Sequence, residues 1–365
     1  MLPIAVVRRS NRSRASGATG AETVVSLKFL AEYLNLSPAT ISLVINKSPA
    51  AKSIPERTKA RIFRAAEKFD YRPNFYARHL SKKRTFTVGV VVPEISEGYA
   101  ALVMSGIEDR LLQDGYFYFV VSHRSRQDLI DEYPRLLQDR AVEGLILVNT
   151  PLHREMPMPT VAVSPHGRLK GATTITLNNR EGGRLALQHL AKLGHKRIAF
   201  FKGHPGSADT EARWAGVAEA ATSFGIEILP ELTEQLQGSG KHPEPSTPEE
   251  GVIYGNKLLK ASHDFTALLA FNDMSAIGAI RAFSDAGYRI PQDVSVVGFD
   301  DVLAAAYMIP RLTTVRQPLR KMGEEAAVSL MERIANSQTR PRDILVEPEL
   351  IVRESTGPVR TQILR

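Results

Sequence analysis

Two residue pairs in the second half of the sequence carry side chains suited to acid/base or ligand chemistry. Asn272-Asp273 follows the apolar run Ala267 to Phe271, and Asp300-Asp301 follows Val296 to Phe299. Adjacent carboxylates invite a metal-ion or general acid/base reading. No His or Glu lies near either pair at ligand spacing, so neither a metal nor a catalytic centre is expected. Vicinal hydroxyls of a sugar are the better match, because Asp accepts from them and Asn both accepts and donates. Arg213, early in its own helical pattern, can reach the same place. Asn272-Asp273 has a plainer alternative as the N-cap of a helix over Met274 to Ala286. Gly238-Ser239-Gly240-Lys241 lacks the earlier Gly and the following Ser/Thr of a phosphate loop, and lies in a polar, Pro-rich surface insertion running to Glu250. The histidines are scattered, with His123, His195 and His204 reading as structural residues, and no nucleophile elbow is present. No cofactor is expected, and the chain does not read as an enzyme.

The elements needed to position these residues are legible as alternating strands and helices. Phe86 to Val92, Phe117 to Ser122, Gly144 to Val148 and Val161 to Val163 read as strands, separated by helices over Ala101 to Asp114 and Asp128 to Gln138. A second unit has helices over Gly182 to Leu193, Glu211 to Phe224, Glu250 to Leu259 and Met274 to Ala286. Its strands are Arg197 to Lys202, Ala267 to Ala270 and Val294 to Phe299. Continuous apolar strands between helices predict parallel sheets covered on both faces. Two such lobes predict a cleft with ligand groups at the carboxyl ends of the strands.

A second chemically distinctive stretch is Ser37-Pro38-Ala39-Thr40-Ile41-Ser42-Leu43-Val44-Ile45-Asn46. Ser37 can cap a helix that Pro38 starts without losing an N–H bond. Ile41, Val44 and Ile45 would face inward, leaving Ala39, Thr40, Ser42, Leu43 and Asn46 on or near a face suited to phosphates and base edges. Any capped amphipathic helix has this pattern, so the flanks decide. Ser26 caps Leu27 to Tyr33 upstream, and the short connection Leu34-Asn35-Leu36 gives a helix-turn-helix. A third helix, Pro55 to Phe69, has Ile62, Ala66 and Phe69 as its inner stripe.

Charge supports the same reading. Residues 1–85 contain 17 Lys+Arg and 5 Asp+Glu, a net +12, whereas residues 86–365 carry a net −4 within the overall +8. Positive charge confined beside a helix-turn-helix implies a nucleic-acid partner whose affinity falls with salt. The absence of cysteine excludes disulfides and thiolate metal sites and fits a reducing compartment. No run is apolar enough to span a membrane, and the start does not read as a signal peptide, so a cytoplasmic, nucleoid-associated protein is expected.

Residues 1–22 read as a disordered basic arm and 23–72 as the DNA-binding head. Residues 73–85 form a linker in which Pro73 breaks the chain and Asn74 can cap a helix of barely two turns. So short a helix is marginal alone. If two of them met in the minor groove, Leu80 could wedge between base pairs; the alternative is a plain basic linker.

In combination these motifs resemble the LacI/GalR family of bacterial transcription regulators over about Val25 to Thr356. The resemblance is carried by Ser37, Thr40, Ser42, Val44 and Asn46, by Tyr71-Arg72-Pro73-Asn74, Ala77 and Leu80, and by Asn179-Arg180-Glu181-Gly182-Gly183. Leu193-Gly194-His195, Arg213-Trp214-Ala215-Gly216, Phe271-Asn272-Asp273, Val296 to Asp301 and Leu312 to Gln317 continue it. It implies a small all-α helix-turn-helix head with a hinge helix, followed by a two-lobed α/β body like periplasmic binding proteins. The body spans 86–356, with lobe 1 at about 86–177 and 317–346 and lobe 2 at about 178–316 and 347–356; residues 357–365 are a tail.

The implied partners are a pseudopalindromic double-stranded operator, a second copy of the chain and a small effector, a sugar or derivative, bound between the lobes. By position the DNA-binding set is Ser26, Leu27, Ser37, Pro38, Ala39, Thr40, Ser42, Leu43, Asn46, Thr58, Tyr71, Asn74, Ala77 and Leu80. The effector set is Tyr99, Pro165, Arg213, Asn272, Asp300 and Leu319. Leu43 stands where many members carry Arg or His, which shifts direct readout towards methyl contacts and Thr40 and leaves more to DNA bending. Glu97-Gly98-Tyr99 also departs from the family's usual turn. No leucine heptad follows Glu354, so a tetramer through a terminal coiled coil is not expected. The competing readings are a sugar-binding protein without a regulatory role and a sugar-acting enzyme.

Overall fold

The computed structural model describes residues 25–46, 48–71, 84–95, 98–151, 154–165, 167, 169–205, 208–237, 247–262 and 264–359. The arm 1–22, Asn74, Ala77 and Leu80 of the linker, Glu97 and the insertion at Gly238 to Lys241 lie outside these residues. The chain divides into two compact units, Met1–Arg84 and Thr85–Arg365.

In the first unit three helices, α1 (Leu27–Leu34), α2 (Pro38–Ile45) and α3 (Glu56–Lys68), enclose one core. Leu30, Leu34, Ile41, Val44 and Ile62 fill it, with Ala51 from a short 3₁₀ turn. Asn35 ends α1 in the left-handed region (φ 51°), and Ser37 starts α2 two residues later. Ile45 is only half-buried, and on α3 the buried partner of Ile62 is Ala65, with Ala66 and Phe69 at the margin. The inner stripe expected from spacing was one residue out at its centre, because Ala65 lies three residues from Ile62 and falls on the same face.

The second unit contains two six-stranded sheets. Lobe 1 has the order β11-β5-β4-β3-β1-β2, all parallel, built from β1 (Thr87–Val92), β2 (Phe117–Ser122), β3 (Gly144–Val148), β4 (Thr160–Val163), β5 (Thr173–Leu177) and β11 (Asp343–Val346). Lobe 2 has the order β12-β10-β9-β8-β6-β7, from β6 (Ile198–Lys202), β7 (Thr233–Gln235), β8 (Ala267–Leu269), β9 (Ser295–Asp300), β10 (Thr313–Arg316) and β12 (Glu349–Ile351). Only β12 runs antiparallel, against β10. The central strands are buried along their whole length, which is why they read as unbroken apolar runs.

Helices cover both faces of each sheet. In lobe 1, α4 (Gly98–Gln113) and α11 (Leu319–Ala335) pack on one face through Val103, Ile107, Met322 and Leu330. The other face meets α5 (Gln127–Asp139) through Leu137. In lobe 2, α6 (Asn179–Lys192) and α7 (Ala208–Phe224) lie on one face, and α8 (Pro248–Ala261) and α9 (Asp273–Asp285) on the other. A one-turn helix α10 (Leu303–Tyr307) follows β9.

The crossing of α6 and α7 fixes the position of Arg213. A Cβ on Gly183 would collide with the carbonyl oxygen of Arg213, and one on Gly216 with that of Arg180, so the two backbones touch at both points. Gly216→Ala is therefore expected to push α7 off α6 and destabilise the body by roughly 1–3 kcal/mol. Urea denaturation checks this; an unchanged midpoint would mean that the helices separate without cost.

Candidate functional site

On α2 the Ser37 hydroxyl accepts the Thr40 backbone N–H at 3.1 Å and lies 2.8 Å from the Thr40 hydroxyl. Asn46 Nδ2 donates to Ser42 Oγ at 3.1 Å. Ser37, Pro38 and Ala39 are exposed, while Thr40, Ser42, Leu43 and Asn46 are half-buried. Leu43 also packs against the head's core. Ser26 caps α1 by accepting the Phe29 N–H at 3.1 Å; Leu27, Thr58 and Tyr71 are half-buried in the same unit. Exposed Lys28, Lys52, Arg57, Arg61, Arg64 and Lys68 give this unit its positive surface.

In the body, non-glycine residues with positive φ gather just beyond strand carboxyl ends: Asn149 (44°) after β3, Ser164 (48°) after β4, and Asp300 (116°) and Asp301 (60°) at the end of β9. Such conformations cost free energy and persist where the surroundings fix them, often at binding sites. Asp301 is held by Arg316 at 2.7 Å and Arg353 at 2.6 Å. The next residue, Val302, donates its N–H to Asp273 Oδ2 at 2.8 Å, and Thr314 Oγ1 donates to Asp273 Oδ1 at 2.5 Å. Asp273 is fully buried and so ties α9, the turn after β9 and β10 together.

Arg213 is 7 % exposed. Its guanidinium lies 3.4 Å from the ring centroid of Phe299 and 4.5 Å from that of Phe271. Nε and Nη2 donate to Asn179 Oδ1 at 3.2 and 2.9 Å, and Nη1 donates to the Phe271 carbonyl. These bonds use three of its five N–H groups. Asn179 Nδ2 donates in turn to Asp209 at 2.8 Å. Asp300, 7 % exposed, accepts Gln317 Nε2 on Oδ1 at 2.5 Å. From lobe 1, the Tyr99 hydroxyl donates to Ser164 Oγ at 2.7 Å.

Burial raises the Asp300 carboxyl to about 6, against the pull of Arg213 and Gln317 and with a push from Asp209. Burial, then Asp300, also lifts Asp273 well above the carboxylate range. Burial lowers Arg213, opposed by Asp300 and Asp209, and burial with those two carboxylates raises the Tyr99 phenol. Tyr99 of lobe 1 thus lies within electrostatic reach of Arg213 and Asp300 of lobe 2.

Asp300 gives a pH signature. Its folded value lies above its ordinary 3.8, so its stabilisation is complete below that value and is lost as the pH rises through about 6. Between pH 4 and 7, wild-type protein should lose stability relative to Asp300→Asn, by up to about 3 kcal/mol. A melting-temperature difference that stays flat across that range would contradict it.

The other residues of the expected effector set behave differently. Asn272 caps α9, its Oδ1 accepting the Ser275 N–H at 3.0 Å. That is the plainer role, and it leaves Nδ2 without a hydrogen bond among the described residues. Pro165 is buried. Leu319 is 2 % exposed and packs into the core of lobe 1 at the start of α11. Sequence reasoning named Asp273 in a candidate pair but left it out of the effector set, and it missed Asn179, Asp209, Ser164 and Gln317, which bond to members of that set or to their partners. Asn179 and Gln317 stood inside quoted motifs, but nothing local marked them as partners of Arg213 and Asp300.

His195 bridges Thr266 at 2.9 Å and the Gly357 carbonyl at 3.0 Å, a structural role. Among the described residues no cluster of His, Asp and Glu could hold a metal, and no helix is long and apolar enough to cross a membrane.

A helical head rich in positive charge and a two-lobed α/β body define the class of transcription regulators with a periplasmic-binding-protein-like body. The sequence pattern of the periplasmic binding protein-like domain matches residues 187–356. An HTH-type transcriptional repressor PurR of Aliivibrio fischeri is 30% identical over 342 residues, covering 91% of this chain and 98% of that protein. The PurR repressor of Mannheimia succiniciproducens is 29% identical over 344 residues, with 92% and 100% covered. Among solved structures, the lac repressor dimer bound to operator and the anti-inducer ONPF is 26% identical with a TM-score of 0.80, covering 91% of this chain and 99% of that one. The transcriptional regulator CelR in complex with cellobiose is 29% identical with a TM-score of 0.66, covering 90% and 99%. The chain belongs to the LacI/GalR family of transcriptional regulators.

Proposed function

We propose that this protein is a repressor whose operator affinity is set by a small neutral polyhydroxylated effector, a sugar or derivative, bound between the lobes. One observation carries the effector class: Arg213 and Asp300 are both buried at the carboxyl ends of lobe 2 strands. Arg213 has N–H groups unspent and Asp300 has one oxygen not taken by Gln317. Such a pair gives and accepts hydrogen bonds to vicinal hydroxyls. Its single buried guanidinium is already balanced by Asp300 and Asp209, which disfavours an anionic ligand. The related structures with bound cellobiose and ribose are consistent with this class.

The head supplies the DNA contacts. Exposed Ala39 and half-buried Thr40, Ser42 and Leu43 present hydroxyls and methyl groups to base edges, and the surrounding cations meet phosphates. Each head carries a single recognition helix and reads one half-site, so a pseudopalindromic operator requires two copies of the chain. Lobe 2 exposes Leu303 by 73%, Tyr307 by 78% and Ile309 by 95%, an apolar segment that a second copy would cover. Asn74, Ala77 and Leu80 are assigned to a hinge in the minor groove on the family resemblance alone.

Trp214 is the only tryptophan and directly follows Arg213; its ring centroid lies 5.6 Å from that of Phe200, with Lys202 Nζ 4.8 Å from the indole. Its emission should report ligand arrival. Cellobiose, D-ribose and D-xylulose would be titrated into full-length protein, alone and bound to a selected operator. A saturable emission change accompanied by a shift in operator affinity is expected. Binding followed by chemical turnover of the sugar would sink the regulatory reading of this site.

A further inference from the structure

Three segments cross between the lobes: Asn178 between β5 and α6, Gln317-Pro318 between β10 and α11, and Glu347-Pro348 between β11 and β12. In one of them, and immediately beside another, an amide side chain is bonded directly to a buried charged group. Gln317, 6 % exposed, donates Nε2–H to Asp300 Oδ1 at 2.5 Å and its backbone N–H to the Asp300 carbonyl at 3.4 Å. Asn179, 4 % exposed, accepts two N–H groups of Arg213 on one oxygen. The first and third crossings are tied together. Asn178 Nδ2 donates to both carboxylate oxygens of Glu347 at 3.2 and 3.1 Å, and its N–H donates to the Val346 carbonyl at 2.8 Å.

We propose that Gln317 is a positioning residue that holds Asp300 and passes the state of the cleft into the lobe crossing, with Asn179 doing the same for Arg213. The inference rests on reading the cleft as the effector site. A hydrogen bond from a buried amide to a carboxylate is stronger than a neutral one, and the buried amide has little water to replace it. When Asp300 turns to a ligand, Gln317 loses its side-chain acceptor, and when Asp300 loses its charge the bond falls from charge-assisted to neutral, so in both cases Gln317 is held less firmly. Only Pro318 separates it from Leu319, whose N–H donates to the Gln317 carbonyl at 2.8 Å. Leu319 is locked in the lobe 1 core at the start of α11, so a shift at Gln317 reaches lobe 1 with little slack. The crossing thus connects a charge in lobe 2 to a helix of lobe 1, the physical continuity that coupling between sites requires.

The proton serves as the probe, because acid removes the Asp300 charge without any effector. Asp300 is faced by Arg213 and Asp209 of α7, Asp273 of α9, Tyr99 of α4 and the neutral Gln317. Full-length protein labelled at Asp carboxyl carbons and Leu methyl groups would be titrated by NMR from roughly pH 5 to 7.5, spanning the expected Asp300 midpoint. In wild-type protein the Leu319 methyl signals should shift with the midpoint of Asp300, and Asp300→Asn should abolish that shift, which separates it from histidine titration. In Gln317→Met the Asp300 midpoint should rise by about one pH unit, and Leu319 should no longer follow. Gln317→Ala gives the same readout if the Met variant does not fold. Leu319 signals that ignore Asp300 in wild-type protein, or that follow it in the Gln317 variant as they do in wild type, would overturn the proposal. This outcome is independent of whether any sugar binds, which the fluorescence titration decides.

Discussion

Arg213→Ala is expected to abolish effector binding and to destabilise the body by about 3–5 kcal/mol, the usual consequence of removing one member of a buried charge constellation. The guanidinium fills the gap between Phe271 and Phe299, satisfies Asn179 Oδ1 and the Phe271 carbonyl, and offsets Asp300 and Asp209. Without it two acceptors lose their donors and Asp300 keeps its burial without its cation. Arg213→Lys should not rescue binding, because an ammonium cannot present a planar fork to Asn179 while lying flat against two rings. Chemical denaturation and Trp214 emission on sugar titration check both parts. Near-native effector affinity in Arg213→Ala would show that the cleft binds ligand by other groups.

Leu80→Ala is expected to lower affinity for the specific operator at least tenfold, about 1.4 kcal/mol or more, while leaving sugar binding unchanged. An inserted apolar side chain offsets the cost of unstacking a base step, a few kcal/mol, and permits a bend that brings more of the protein onto the DNA. Non-specific affinity, set by Lys and Arg against phosphates, should barely change. Gel-shift titrations with specific and scrambled duplexes distinguish the two. An operator affinity within twofold of wild type would remove Leu80 from the interface and return residues 73–85 to a plain linker.

The legible parts of the fold were those governed by local rules. α2 begins at Pro38 behind the Ser37 cap, as the cap and the missing proline N–H dictate. The buried strands β1, β3 and β9 announced themselves as apolar runs. β5 did not, because Thr173, Thr174 and Thr176 make it polar in composition although it is almost wholly buried between neighbouring strands. α11 was not read as a helix, and Leu319 at its start was assigned to the ligand on position alone. Its burial depends on how α11 packs on lobe 1, which spacing does not encode.

Arg213 and Asp300 stood out as charges near strand or helix ends. Their partners did not, since the bond from Gln317 to Asp300 spans 17 positions and that from Arg213 to Asn179 spans 34. Asn272 shows the limit from the other side: its side chain caps α9, and the sequence pattern of a cap and of a ligand contact is the same.

Whether two copies of this chain bind one operator is decided by selecting duplexes from a random library with the purified full-length protein at near-physiological salt. Enrichment of a pseudopalindrome with a flexible pyrimidine–purine step at its centre, bound by two chains per duplex, is expected. Salt-sensitive binding with no enriched motif, or a single asymmetric site bound by one chain, would contradict it.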